Sequence, residues 1–158
     1  MFKGGEFHYS DSGKGPAILF LHGHLENRHM WEPITGTLPR SYRWLSIDLP
    51  GHGDSGNIGY IHTMEEMAEV VKALADHKKL KRFILCGHSM GGYVALAFAE
   101  KHPDMVKALI LMNSTSKADS PEKKKARDQA IRVAKRDHKS FIRHTIPMLF
   151  RPKHRRGM

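Results

Sequence analysis

A serine lies at the centre of the stretch GHSMG, residues 87–91, which has the form GxSxG. The stretch joins a run of strand formers, 82–86, to a run of helix formers, 91–101. In a sharp strand-to-helix turn, glycines two residues before and after the serine remove the Cβ atoms that would collide. The following helix directs its N-terminal N–H groups toward the serine. The pattern predicts a nucleophile, Ser89, with the N–H of Met90 as an oxyanion donor.

A serine in such a turn can instead cap a helix or belong to a phosphate-binding loop. The spacing differs from GxGxxG, and no Lys-Ser or Lys-Thr pair follows, so both nucleotide-binding patterns fail. The 12 histidines of the chain show no HExxH or similar ligand spacing. We therefore predict neither a metal nor a cofactor.

The elements around this turn alternate between strands and helices. Thr63 and Glu66 form a capping box that predicts a helix start. Phe7–Ser10 is expected to add an antiparallel edge. The alternation favours an α/β fold with a mostly parallel sheet and helices on both faces. Strands are predicted at 17–22, 42–47, 82–86 and 106–112, and helices at 29–38 (weakly), from 63 and at 91–101.

Over roughly residues 5–115 the chain resembles the N-terminal part of the α/β-hydrolase superfamily. The resemblance implies a serine hydrolase that cleaves a small ester or related acyl compound through an acyl-enzyme. It also implies a second oxyanion donor, the N–H of His24, after the His22-Gly23 pair. The stretches that carry it are LFLHGHLENRHMW (19–31), SIDLPGHGDS (46–55), LCGHSMGG (85–92) and HPDMVKALILMNS (102–114).

The resemblance also assigns roles to other conspicuous residues. It implies that Asp48 orders the strand-end loop rather than catalysing the reaction. His52 and His88 are expected to pack and form hydrogen bonds, and Cys86 to be a buried small hydrophobe. Serine rather than aspartate at position 89 disfavours the dehalogenase and epoxide-hydrolase branches.

A catalytic serine needs a histidine base and an orienting acid. In the family these follow the serine in the order acid, then histidine, on later strands beyond an inserted cap. Some relatives place the acid directly after the strand at 106–112, where this chain has Asn113-Ser114, and no strand-like run follows. We therefore predict that the catalytic acid and histidine are not in this chain. The acids and histidines beyond this point are expected to be solvated: Asp119, Asp128, Asp137, His138, His144 and His154.

We predict three segments: the N-terminal part of a hydrolase core (1–113), the start of a helical cap (114–150) and a basic tail (151–158). A helix starting at Ser120-Pro121 is expected to present one apolar face as far as Phe141, and a second short helical piece is expected to run to Phe150. Lys plus Arg and Asp plus Glu each number 12 up to residue 113, whereas 14 and 4 follow, so the second part carries the whole +10. The alternative function is therefore a non-catalytic remnant that binds a partner or acidic surface through its basic C-terminal segment.

The expected partners are a small acyl substrate, and a second copy of the chain or a complementing C-terminal half. No nucleic-acid motif is present. No apolar run approaches the roughly 20 residues that cross a bilayer, and the N-terminus lacks the apolar region of a secretory signal. With a single cysteine, Cys86, the cytoplasm is the expected compartment.

Overall fold

The computed structural model describes residues 4–149 and 152 and divides into two compact units, 1–116 and 117–158. The first unit holds a five-stranded sheet in the order β1-β3-β2-β4-β5. β1 pairs antiparallel with β3, and the remaining pairs are parallel, as the alternation of elements predicted. The strands are β1 (Tyr9–Gly13), β2 (Ala17–Leu21), β3 (Arg43–Ile47), β4 (Phe83–His88) and β5 (Val106–Met112).

The edge strand and the end of β4 differ from the sequence prediction. β1 is antiparallel as expected but runs over Tyr9–Gly13 rather than Phe7–Ser10. Its residues are mostly polar, and Asp11 forms ion pairs with Arg43 of β3 and with Lys78. Cross-strand pairing and charge thus hold a segment that has no apolar alternation. β4 continues two residues past Cys86, because Gly87 and His88 pair with residues of β5.

The described part of the first unit, from residue 4 onward, contains three α-helices and two short 3-10 helices. The weak helix predicted at 29–38 is two pieces, a 3-10 helix and α1. Pro33 explains the division, because a proline has no N–H to continue a helix that has already begun and is tolerated only in a first turn. The helices are a 3-10 helix (Arg28–Trp31), α1 (Glu32–Thr35), α2 (Met64–His77), α3 (Met90–Lys101) and a 3-10 helix (Pro103–Met105).

The predicted capping box starts α2. Thr63 Oγ1 accepts the N–H of Glu66, and the Glu66 carboxylate accepts the N–H of Thr63. Two N–H groups that lack helical partners are thereby satisfied. The predicted apolar stripe of this helix faces the core, with Met67, Val70, Val71 and Leu74 buried.

The core lies on both faces of the sheet, with β2 entirely buried between them. The larger cluster joins one sheet face to α2 and α3 and includes Leu19, Leu85 and Phe98. The smaller cluster, on the other face, contains Ile18, Phe20, Trp31 and Cys86. This arrangement fixes the carboxyl ends of β2 and β4 side by side, because Leu21 is in register with Gly87.

The second unit is built from α4 (Pro121–Arg136) and α5 (His138–Met148). Ser120 caps α4 and a second helix follows it, both as predicted, but Phe141 of the expected apolar face lies on α5 rather than on α4. Asp137 causes the division: its backbone is extended, with φ −154°, and its carboxylate accepts the N–H of Ser140 at 3.0 Å to start α5. That 114–150 begins a cap stays a prediction. The predicted tail, apart from Pro152, lies outside the described residues.

Candidate active site

Ser89 stands at the sharp turn between β4 and α3, in a backbone conformation that side-chain-bearing residues seldom adopt. Its φ is 50° and its ψ −112°. A conformation of this kind costs about 1–3 kcal/mol and persists only where the surroundings hold it. Here the N–H of Ser89 donates to the carbonyl of Met112 at 3.0 Å. The carbonyl of Ser89 accepts the hydroxyl of Ser114 at 2.9 Å and the N–H of Gly92 at 3.1 Å.

The two glycines of the GxSxG stretch are required by close backbone contacts, as predicted. A Cβ on Gly87 would stand 2.3 Å from the carbonyl oxygen of Gly91. A Cβ on Gly91 would stand 2.3 Å from the carbonyl oxygen of Leu21, at the end of β2. Because both obstacles are backbone atoms, they cannot move aside as a flexible side chain would. The turn therefore packs directly against the neighbouring strand.

The turn that follows β2, residues 22–24, lies against Ser89. A Cβ on Gly23 would stand 3.2 Å from the Cβ of Ser89. This is the segment whose last N–H, that of His24, the resemblance assigns to the oxyanion. α3 begins at Met90, and the first N–H groups of a helix have no helical acceptor. The structure thus brings the segments of His24, Met90 and Ser89 together, and the roles of their groups stay predictions.

His22 is engaged through both ring nitrogens. Its Nε2 accepts the N–H of Leu49 at 2.9 Å, which leaves the proton on Nδ1 to donate to the carbonyl of Gly23 at 2.7 Å. The ring is fully buried, and burial lowers the pKa of His22 below its ordinary 6.5. The ring is therefore neutral, and neither nitrogen has a lone pair available for the proton of Ser89.

Asp48 organises two loops, in agreement with its expected role. It is fully buried and accepts the backbone N–H of Arg28 at 2.6 Å and of Asp54 at 3.0 Å. The guanidinium of Arg28 binds the same carboxylate and also Asp54, the latter at 2.8 Å. With its oxygens used in this way, the carboxylate connects the segment before α1 to the loop after β3.

The other conspicuous side chains of this edge also have local partners. His52 donates from Nδ1 to the carbonyl of Pro50 at 3.0 Å, and its ring packs 5.1 Å from that of His22. His88 binds Glu26, with Nδ1 and Oε2 2.9 Å apart. Cys86 is buried, as predicted, and burial raises the pKa of its thiol to about 11.

Two residues that form hydrogen bonds close to Ser89 were not predicted from the sequence to have a role in the site. Ser114, read only as a position where some relatives have an acid, binds the carbonyl of Ser89. Glu26, read only as part of a motif, binds both Gly23 and His88. The available signals were positional: Ser114 follows β5 at the edge where Ser89 follows β4, and Glu26 stands three residues after Gly23.

Three of the acids and histidines of the second unit, Asp119, Asp137 and His144, have local contacts. Asp119 pairs with Arg127 at 2.5 Å, which lowers the pKa of its carboxyl group. Asp137 caps α5, and the N–H of Ser140 lowers its pKa. His144 donates from Nδ1 to the carbonyl of Ser140 at 2.7 Å. His154 lies outside the described residues.

Among residues 4–149 and 152, no helix is long and apolar enough to cross a bilayer.

The family model of the α/β hydrolase fold matches residues 16–143. Pimeloyl-(acyl-carrier protein) methyl ester esterase of Nitrosomonas europaea is 34% identical over 108 residues, covering 68% of this chain and 41% of that protein. Epoxide hydrolase 3 of Xenopus tropicalis is 37% identical over 112 residues, covering 68% of this chain and 30% of that protein. A thermophilic esterase from Thermogutta terrifontis has a TM-score of 0.82 and 36% identity, covering 89% of this chain and 52% of that structure.

The chain spans about half the length of this solved esterase and less than half of the two curated relatives. The matched region contains β2 to β5, the turn after β2 and the GxSxG turn. Sequence match, structural similarity and site geometry therefore agree. The chain belongs to the α/β-hydrolase fold family.

Proposed function

We propose that this chain carries the nucleophile and the oxyanion hole of a serine hydrolase that cleaves a small carboxylic ester or related acyl compound. Ser89 attacks the carbonyl carbon, and the N–H groups of His24 and Met90 stabilise the oxyanion of the tetrahedral intermediate. The alcohol leaves with a proton, an acyl-enzyme forms on Ser89, and water releases the acid. The observation that carries this proposal is the strained φ of 50° at Ser89, held at the ends of two parallel strands.

The identity of the nucleophile favours ester cleavage over epoxide opening, although one relative is an epoxide hydrolase. A serine hydroxyl forms an acyl-enzyme that water can hydrolyse, and a preorganised pair of N–H donors suits an oxyanion. The similar proteins named esterases, from Nitrosomonas europaea and Thermogutta terrifontis, support the same choice.

The proposed mechanism needs a base within reach of Ser89. In the described residues His22 has both nitrogens engaged, and Asp48 is held by Arg28 and Asp54. We propose that the catalytic acid and histidine come from a complementing C-terminal half or from a second chain.

The test is intact-mass analysis after treatment with a fluorophosphonate, a reagent that phosphonylates activated serines. The chain is treated alone, and Ser89→Ala is compared with Ser41→Ala, which removes an exposed hydroxyl outside the turn. Circular dichroism establishes that all three proteins are folded. One adduct that is lost only in Ser89→Ala supports the proposed nucleophile and shows that this chain or a second copy of it supplies the base. Absence of an adduct on the folded chain contradicts a base from this chain or from a second copy, and leaves a complementing C-terminal half as the source of the base.

A second candidate function rests on the exposed basic surface of α4, which has no buried residue. In this alternative the chain binds an acidic partner or surface through its C-terminal segment. Such binding falls steeply with salt. It survives Ser89→Ala and weakens when the basic residues of α4 or of 151–156 are neutralised, whereas ester cleavage shows the opposite dependence.

A further inference from the structure

The carboxylate of Glu26 joins the turn after β2 to the end of β4. Its Oε2 accepts the N–H of Gly23 at 2.6 Å and lies 2.9 Å from Nδ1 of His88, the residue before the predicted nucleophile. The two side chains are mostly shielded, with 27% of Glu26 and 19% of His88 exposed. Hydrogen bonds to an ionised group are stronger than those between neutral groups, and shielding from water strengthens them further.

These contacts fix the peptide that carries the predicted second oxyanion donor. The side chain of Glu26 accepts the N–H of Gly23, and the backbone N–H of Glu26 donates to the carbonyl of Gly23 at 3.4 Å. Nδ1 of His22 donates to the same carbonyl. In a planar trans peptide the C=O and N–H point in opposite directions. Fixing the carbonyl of Gly23 therefore fixes the direction of the N–H of His24.

The same contacts converge beside Ser89. A Cβ on Gly23 would stand 2.6 Å from Oε2 of Glu26, 2.9 Å from Nδ1 of His88 and 3.2 Å from Cβ of Ser89. The carboxylate, the imidazole and the serine thus pack around one α-carbon. A displacement of the Glu26 side chain would therefore move residues 22–24 relative to Ser89.

We propose that Glu26 is a positioning residue for the oxyanion hole, keeping the N–H of His24 directed at the site where the oxyanion forms. This inference rests on the proposed function. The negative charge of Glu26 by itself disfavours a nearby oxyanion, so the benefit lies in geometry. Gln at this position keeps an acceptor for Gly23, whereas Leu has a similar size and no acceptor.

The first test is independent of activity and uses the backbone amide resonances of the whole chain. In the wild type we expect the amide proton of Gly23 far downfield, because its bond to the carboxylate is short and charge-assisted. In Glu26→Leu it should move upfield and the His24 resonance should move with it; in Glu26→Gln both shifts should be smaller. Glu32→Gln is the matched control, because Glu32 forms a similar 2.6 Å contact with the ring of His29 at the surface. Unchanged Gly23 and His24 resonances in Glu26→Leu would overturn the proposal.

The second test is the rate of fluorophosphonate labelling at Ser89, because the phosphoryl oxygen occupies the oxyanion site. Loss of one oxyanion donor lowers rates by about 100-fold or more. We therefore expect labelling of Ser89 to be about 100-fold slower in Glu26→Leu and about tenfold slower in Glu26→Gln. Glu32→Gln should react at the wild-type rate. A folded Glu26→Leu that labels at the wild-type rate would overturn the proposal. If the wild type is not labelled, the proposed activity fails for this chain alone, and the amide shifts still decide whether Glu26 positions the turn.

Discussion

The ring of His22 accepts the backbone N–H of Leu49, with 2.9 Å between Nε2 and the amide nitrogen. Since Nε2 is an acceptor, the proton must lie on Nδ1, from which it reaches the carbonyl of Gly23. One backbone N–H after β3 thus determines the tautomer of a ring after β2. In that tautomer the Nδ1–H of His22 binds the carbonyl of Gly23, and the same peptide group carries the N–H of His24. The strand-end loops therefore support one another through neutral, buried groups.

The first prediction concerns this tautomer. Long-range ¹H–¹⁵N correlation spectra should show His22 protonated on Nδ1 and unprotonated on Nε2 at pH 7. The exposed ring of His29 is the internal comparison. A signal from His22 with the proton on Nε2 would contradict the hydrogen bond from Leu49.

The second prediction is that His22 makes stability depend on pH on the acid side. Burial lowers the pKa of His22 in the folded protein below 6.5, so between the two pKa values the unfolded chain binds more protons. The contribution of His22 to the free energy of unfolding is fully present above about pH 6.5. It is lost as the pH falls, with a slope of at most about 1.4 kcal/mol per pH unit. Urea denaturation between pH 8 and pH 5 measures it.

The control for this pH dependence is a pair of variants. His22→Gln should be less stable than the wild type at pH 7 but should show a shallower slope, because the buried titrating group is gone. His29→Gln is the matched variant that removes an imidazole from the surface. Equal slopes in His22→Gln and the wild type would refute the assignment to His22.

The third prediction tests the backbone contacts of the elbow. Gly91→Ala places a Cβ 2.3 Å from the carbonyl oxygen of Leu21, so we expect a loss of about 2–3 kcal/mol in the free energy of unfolding. Gly59→Ala is the matched control, because the new Cβ would stand 3.6 Å from the carbonyl oxygen of Ile61, at ordinary contact distance. Thermal and urea unfolding of both variants decide the matter; equal stabilities would show that the turn can relax.

The fourth prediction separates a structural from a catalytic aspartate. Asp48→Asn removes the buried partner of Arg28 and should cost about 3–5 kcal/mol. Asp54→Asn removes a partner of the same guanidinium that is 63% exposed, and should cost much less, because solvent screens an exposed pair. The measurement is equilibrium unfolding in urea at pH 7. Similar small losses in both variants would indicate that Asp48 does not hold the loops.

Much of the fold could be predicted because its signals are local. The apolar runs of β2 and β5 and the capping box of α2 each consist of residues that are close together in the sequence. The turn at Ser89 was predictable for the same reason, since its glycines are within two residues of it. Periodicity did not predict that the break between the last two helices falls at Asp137, because an aspartate can either continue a helix face or cap the next helix.

The contacts that complete the site could not be predicted in this way. Glu26 and His88 are 62 positions apart, and Ser114 is 25 positions from Ser89. Such pairs meet only after β2, β4 and β5 have been placed in register. Likewise β1 has no apolar alternation, and its position depends on pairing with β3 and on the charges of Arg43 and Lys78.

The last prediction concerns the outer strand of the sheet. β5 pairs with β4 on one side and ends the sheet formed by the described residues. Its Ile110 is 45% exposed. A strand edge with exposed apolar side chains offers unpaired backbone groups to another chain. We expect the protein to associate as its concentration rises, measured by light scattering. Ile110→Lys should shift the mass toward the monomer, whereas Ile34→Lys, which changes a similarly exposed isoleucine in α1, should not. A wild-type monomer at every concentration would contradict association through β5.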